Sequence, residues 1–378
     1  MSSADICVIT PTVRNPEFIE TYVENAKEHG FDLDRLFIVM VTEDFCEKDE
    51  MRAMLDRLGV DGAVFGGTER DRWYEENGIG EYADIVPAAS HAETSFGLLY
   101  MWANPQFDYG IFLDDDTEPH PDFDFFGDHL DHLGATKTVE HVASDENWVN
   151  VLYQNIEEHG LYPRGYPYSA MDETIATKED ETSEIIASQG LWTNIPDLDA
   201  VRILMDGDLK GQAQTLTDTD DFSHNFAAAE GNYLTVCSMN LAFQREVIPA
   251  FYQFPMDDNE WDIGRFDDIW SGLTLKKAAD MLDKSIINGF PLCIHNKAER
   301  STFSDLNNEV PALELNEHFW EALAEAPETA EDYIDAYEKM IDAVDAYDFS
   351  DYANDDFIDF TVEKMKRWLA AIKELDRE

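Results

Sequence analysis

Short apolar runs alternate with amphipathic stretches through the first third of the chain. The runs Ile6-Cys7-Val8-Ile9, 36–41 and Ala63-Val64-Phe65 are rich in β-branched, aliphatic and aromatic residues, which predicts three short buried strands. A fourth, Tyr109-Gly110-Ile111-Phe112-Leu113, runs straight into Asp114-Asp115-Asp116. Between the runs, spacing predicts helices over 16–29, 50–58 and 92–103. Pro16 suits a first helical turn, where its missing N–H costs nothing, and Gly30 suits the stop. Strands alternating with helices predict the α/β class, with a mainly parallel central sheet covered on both faces. Ligands in such sheets bind beyond the carboxyl ends of the strands. Thr10 to Asn15 and Asp114 to Asp116 should therefore face one crevice.

The pattern loosens after Pro119. A further strand is expected over 148–153. Residues 162–169, Tyr-Pro-Arg-Gly-Tyr-Pro-Tyr-Ser, cannot be helical and predict a rigid aromatic loop around Arg164. Segments 172–184 and 206–224 are polar and acidic, and predict surface insertions or mobile loops. Between them Trp192, flanked by Gly190 and Pro196, offers a platform for a sugar ring, although a packed core Trp is the commoner outcome. Asp267-Asp268 opens a helical pattern over 269–282, where acids also suit the helix dipole. A last strand over 290–294 ends in His295-Asn296-Lys297, a metal ligand and a phosphate contact by type. From Leu315 onward the periodicity predicts helices over 316–325, 328–347 and 355–375, a C-terminal extension offering an oligomer contact.

Charge changes this picture more than composition does. The chain has 378 residues, with 44% hydrophobic and 12% aromatic residues, ample for a core. Yet 81 acids face 26 bases, a formal net charge of −55, and the acids are spread throughout. Such a surface repels itself, and about 1 M salt, with a Debye length of about 3 Å, screens most of that repulsion. The expectation is a halophilic, high-salt cytoplasm. No basic patch is visible, so nucleic acid is excluded as a partner. No run reaches the ~18 apolar residues of a membrane span, and no signal peptide is evident. Cys7, Cys46, Cys237 and Cys293 form no CxxC pair and predict free thiols.

Three ionised carboxylates cannot stay in a buried strand unpaired. The fourth strand must therefore end at a wet edge with a cation nearby. In extended chain Asp114 and Asp116 point one way, about 7 Å apart, and Asp115 the other. Asp114 and Asp116, with His295, predict a divalent metal site for Mn²⁺ or Mg²⁺, which keep positions open for substrate phosphate. Arg14, beside the first strand end, suits a phosphate or a base edge.

The segments Thr10-Pro11-Thr12-Val13-Arg14-Asn15, Asp114-Asp115-Asp116, Arg164-Gly165-Tyr166-Pro167-Tyr168-Ser169, Gly190-Leu191-Trp192-Thr193-Asn194-Ile195-Pro196-Asp197, Met239-Asn240-Leu241-Ala242-Phe243, Gly264-Arg265-Phe266-Asp267-Asp268-Ile269-Trp270 and His295-Asn296-Lys297-Ala298 occur in a telling order. In that order the chain resembles the reversibly glycosylated polypeptides, the UDP-arabinopyranose mutase group of glycosyltransferase family 75, which includes archaeal alpha-1,4-glucan-protein synthase homologues. It departs from the plant pattern at Ala92 to Gly97, where those sequences carry Cys and Arg, and at Ser238, where they carry Gly. The resemblance implies a GT-A-like nucleotide-sugar fold over 1–312, with the helical extension over 313–378. It implies a UDP-sugar substrate, a divalent metal at the triple acid and sugar attachment at Arg164. Arg164, Asp267 and Asp268 are the expected catalytic residues. Thr10, Thr12, Arg14, Asn15, Asp115, Tyr166, Trp192, Asn240, Arg265 and Lys297 are expected to bind nucleotide or sugar. The function so implied is a UDP-sugar mutase interconverting pyranose and furanose forms, by way of reversible self-glycosylation. A glycosyltransferase acting on a glycan, lipid or protein acceptor, and a non-catalytic nucleotide-sugar-binding protein, stay open beside it. A homo- or hetero-oligomer is the further partner expected.

Overall fold

The computed structural model describes residues 4–14, 16–154, 160–171, 175–257 and 259–377. Strands β1 (Ile6–Pro11), β2 (Leu36–Val41), β3 (Asp61–Phe65) and β4 (Tyr109–Leu113) lie in the order β3-β2-β1-β4, all parallel. Helices α1 (Phe18–His29), α2 (Lys48–Leu58), α3 (Gly67–Glu76) and α4 (Thr94–Trp102) make the crossovers, and α1 ends at Gly30 with φ 76° as its missing side chain allows. Next in the chain come β5 (Thr117–Pro119), α5 (Phe125–His132), β6 (Thr136–Ser144), β7 (Ile175–Asn194), α6 (Ala200–Met205), β8 (Phe226–Ala228) and β9 (Asn240–Gln244). They are followed by α7 (Asp267–Met281), β10 (Lys284–His295), α8 (Thr302–Ala324), α9 (Tyr333–Ala346) and α10 (Asp356–Leu375).

The second half of the sheet is mixed. β9 runs antiparallel between β4 and β7, while β10 runs parallel to β7 and antiparallel to β5. These pairings put the carboxyl ends of β1, β2, β4, β7 and β10, and the amino end of β9, along one edge. The first half alone is thus the parallel sheet expected, within the α/β class.

Two stretches differ from the sequence reading. Residues 148–153 form no strand; they are buried turns, and Trp148 makes an isolated bridge to Tyr233. Residues 175–184, expected as a mobile insertion, are the first half of β7, paired antiparallel with β6. That half is exposed or half-exposed, so it carries no apolar alternation for a reader to see. Residues 206–224 are irregular apart from one short 3₁₀ turn and isolated bridges.

The sheet is covered on both faces. One cluster joins β1 and β2 to α1, α2 and α5. The larger cluster joins the other face to α4, α7, α9 and α10. The C-terminal helices belong to that core: Trp270 stacks on Phe319 at 4.1 Å, and Trp368 stacks on Tyr252 at 4.9 Å while donating Nε1–H to Pro249 O. α8 runs across residue 312, so the boundary expected there falls inside a continuous helix. The apolar stripes of α9 and α10, including Met340, Val344, Met365 and Trp368, are buried by the chain itself.

Candidate active site

At the carboxyl edge lies a cavity of about 490 Å³. The loop after β1, the turn after β4, the segment before α4, the start of α7 and the end of β10 line it. The chain leaves β4 at Leu113, and Asp114 to Asp116 form a turn instead of extending the strand. Thr117 fixes that turn, donating its hydroxyl to Asp114 O at 2.8 Å. The turn corrects the extended spacing expected: one carboxylate oxygen from each of the three acids lies within 4.8 Å of the others.

The three carboxylates are not equivalent. Asp115 turns to the first loop, accepting from Thr12 Oγ1 at 2.8 Å and from Arg14 Nη1 at 2.9 Å. Asp116 Oδ2 accepts from Ala298 N at 3.1 Å. Its Oδ1 is buried without a hydrogen-bond partner among the described residues, 3.6 Å from His295 Nε2. His295 Nδ1 lies 2.7 Å from Ile195 O, so that nitrogen carries the proton and Nε2 is left as a lone pair. Burial lowers the His295 pKa, although Asp116 opposes it, and favours this neutral ring. Two lone pairs facing each other call for a cation between them. Burial first, then Asp116, pushes the Asp114 carboxyl well above the usual range, which a bound cation would reverse. The donor set of carboxylates and imidazole fits a divalent metal.

Arg164 is the second centre. Its Nε and Nη2 donate to Asp197 Oδ2 at 3.1 and 3.0 Å. Its Nη1 and Nη2 donate to Asp268 Oδ1 and Oδ2 at 3.0 and 3.2 Å, and Nη1 also donates to Arg265 O. All five N–H donors are thereby engaged. Burial opposes the charge, but Asp197 and Asp268 outweigh it and raise the Arg164 pKa. Arg265, at φ 66°, sends its own Nε to Glu309 Oε1 at 2.5 Å. Lys297 is buried, and alone among the cavity's bases it makes no ion pair among the described residues. Burial lowers its pKa against the pull of Asp197.

Of the residues expected here, Thr12, Arg14, Asp114, Asp115, Asp116, Arg164, Arg265, Asp267, Asp268, His295 and Lys297 line the cavity. Thr10, Tyr166, Trp192 and Asn240 do not. Thr10 is fully buried in β1. Tyr166 packs edge-on to Trp148 at 5.5 Å and donates its hydroxyl to Ala170 O. The cation over the aromatic loop is Arg202, 5.0 Å from the Tyr162 ring and 5.4 Å from the Tyr168 ring, not Arg164. Trp192 is 4% exposed, in the core. Asn240 belongs to a buried chain of hydrogen bonds with His129. Asn15 lies outside the described residues.

Sequence reasoning missed His91, Asp257, Asp305 and Glu309, and gave Asp197 no role. His91 lines the cavity, its Nδ1 3.1 Å from Asp267 Oδ2. Burial would depress its pKa, but the hydrogen bond and charge of Asp267, with Asp114 and Asp268 beyond, raise it to about 10. The only signal for Asp197 was its place at the end of the Gly190 to Asp197 segment; pairing across 33 positions has no local mark.

The family profile described as reversibly glycosylated polypeptide matches residues 79–377. The chain belongs to the reversibly glycosylated polypeptide family. UDP-arabinopyranose mutase 2 of Arabidopsis thaliana is 30% identical over 323 residues, covering 84% of this chain and 76% of that one. Probable UDP-arabinopyranose mutase 2 of Solanum tuberosum is 29% identical over 315 residues, covering 82% and 74%. Among solved structures, a mannosyltransferase of Pyrobaculum calidifontis in complex with GDP-Man and Mn²⁺ is 12% identical, with a TM-score of 0.38, over 99% of this chain and 88% of that one. Among the described residues of this family member, no helix is long and apolar enough to cross a membrane.

Proposed function

We propose that this protein is a UDP-sugar mutase that interconverts pyranose and furanose rings and works with a divalent cation. Family membership supports the reaction class. The observation that carries the site is the pair of facing acceptors, Asp116 Oδ1 and His295 Nε2, beside Lys297, which makes no ion pair among the described residues. Asp114, Asp116 and His295 would hold the cation. When bound, it neutralises charge on the diphosphate and makes UDP a better leaving group. Lys297 reaches the diphosphate, and Arg14, steadied by Asp115, binds phosphate or uridine. The cleft holds UDP while the sugar rearranges, because water reaching the anomeric carbon gives free sugar instead.

Arg164 orders the floor of the cleft by holding Asp197 and Asp268. Attachment of sugar to its guanidinium would displace one of the five hydrogen bonds and require a carboxylate to take the proton. The test is a panel of UDP-pentoses and UDP-hexoses in molar KCl with Mn²⁺ or Mg²⁺, with ring forms resolved by chromatography and the intact protein weighed. The expected outcome is interconversion of one pyranose–furanose pair. Sugar transfer to an added acceptor without ring isomers would instead assign a glycosyltransferase. Binding without turnover would assign a carrier.

A further inference from the structure

Ring exchange at an anomeric carbon has a proton problem that neither the cation site nor Arg164 addresses. One hydroxyl must lose its proton as its oxygen bonds to C1. The former ring oxygen must gain a proton as its bond to C1 breaks. UDP leaves as an anion and returns as one, so it takes no part in this exchange. A single group that accepts the first proton and delivers the second satisfies both needs.

Three carboxylates around Arg164 and His91 are poorly placed for this. Both oxygens of Asp268 are taken by Arg164, and Oδ2 also accepts from Ser238 N at 3.3 Å. Asp197 is locked to the same guanidinium. Asp267 is committed to His91 Nδ1. The Nε2 of His91 has no partner among the described residues, on a side chain that lines the cavity and is 30% exposed.

The backbone holds that ring firmly. Ser90 Oγ accepts from Ala92 N at 3.1 Å and donates to Met256 O at 3.0 Å, capping the turn that carries His91. Thr94 Oγ1 donates to His91 O at 2.8 Å. Ala89, at φ 54°, donates its N–H to Glu43 and Glu93, and Arg70 Nη2 lies 3.0 Å from Glu93 Oε1. A left-handed alanine and a caged loop are the sort of strain found where a side chain must be aimed.

We infer that His91 is a catalytic residue that carries one proton from the incoming sugar hydroxyl to the departing ring oxygen, with Asp267 as its positioning residue. The inference rests on the mutase reading above. In the first half, C1–O(phosphate) breaks and the electron pair leaves with UDP. The second hydroxyl oxygen bonds to C1 and its proton passes to Nε2. In the second half, C1–O(ring) breaks, the ring oxygen takes the proton from Nε2, and a phosphate oxygen of UDP rebonds to C1. No atom or electron is left over.

The ring sits in an acidic field: Asp267 and Asp268 on α7, Asp114 and Asp115 after β4, and Asp257 before α7 all act on it. The base form therefore gains population as pH rises, and isomerisation should quicken from neutral toward alkaline pH.

The test compares wild type, His91→Gln and Asp267→Asn with the UDP-sugar that wild type isomerises, in molar KCl with Mn²⁺. UDP affinity by calorimetry reports folding and an intact nucleotide site. The expected result for H91Q is unchanged UDP affinity, isomerisation down by about 10²–10⁴-fold, continued release of UDP and free sugar, and no alkaline rise. D267N should lose kcat by a smaller factor, keep its KM, and shift the pH profile downward. H91Q isomerising within threefold of wild type, with the same pH profile, overturns the inference and leaves the mutase reading standing. Wild type that isomerises no UDP-sugar overturns the mutase reading, and this inference with it.

Discussion

Arg164 sits where a residue's chemistry and its structural duty conflict. Its guanidinium bridges Asp197 and Asp268, both buried. Removing it leaves two uncompensated charges in a protected site, at a cost of about 3–5 kcal/mol. Arg164→Ala should thus show a markedly lower denaturation midpoint in molar KCl. Adding Asp197→Asn and Asp268→Asn should restore more than half of that loss, since neutral amides need no cation. An Arg164→Ala protein as stable as wild type would refute this. The same residue shows what the chain discloses and what it hides. The loop around Arg164 announces itself through two prolines and a glycine. Its acidic partners at 197 and 268 do not, because only tertiary folding brings them together. Asp114 to Asp116 were legible for the opposite reason: three carboxylates abutting a greasy strand are a conflict visible locally. Tyr166 and Trp192 were misplaced because the same aromatic surface suits a sugar face and a protein core.

Among the elements, α5 shows how Asn240 is used. The hydrogen bonds run in one consistent direction: Asn225 Nδ2 to His132 Nε2, His132 Nδ1 to Ser188 Oγ, Ser188 Oγ to His129 Nδ1, and His129 Nε2 to Asn240 Oδ1. Asn240 Nδ2 then donates to Pro291 O at 3.0 Å. This chain ties α5 to β7, β9 and β10 and works only with both imidazoles neutral. Burial depresses the His129 pKa to about 3 and the His132 pKa to about 4. Below the unfolded value of about 6.5 the unfolded chain binds protons that the fold refuses, so stability falls as pH falls. The loss is about 1.4 kcal/mol per pH unit for each ring, down to its own folded pKa. Denaturation midpoints between pH 7 and pH 5 at fixed KCl should drop for wild type and drop less steeply for His129→Asn. An identical slope in the variant would contradict this role. The first four strands were readable because buried parallel strands are continuous apolar runs. The first half of β7 was not, because it lies in a largely exposed ribbon with β6. The strand expected over 148–153 failed for the converse reason: burial alone makes a segment apolar, whether or not it pairs.

At the scale of the whole molecule, the question is how a chain of net charge −55 accepts a doubly charged phosphate ester. Five of its 26 bases, Arg14, Arg164, Arg265, Lys297 and Arg300, line this cavity. Four of them are already paired with carboxylates, to Asp115, to Asp197 and Asp268, to Glu309, and to Asp305. Lys297 by itself cannot offset the triple acid, so the cation proposed at Asp114, Asp116 and His295 would supply the positive charge that brings the diphosphate in. The most direct measurement is calorimetric titration of UDP in molar KCl, with and without Mn²⁺, for wild type and Asp116→Asn. The account predicts that wild type binds UDP only with Mn²⁺, and that Asp116→Asn loses at least about tenfold in affinity, or about 1.4 kcal/mol. Equal UDP binding without the metal, unchanged in Asp116→Asn, would contradict it.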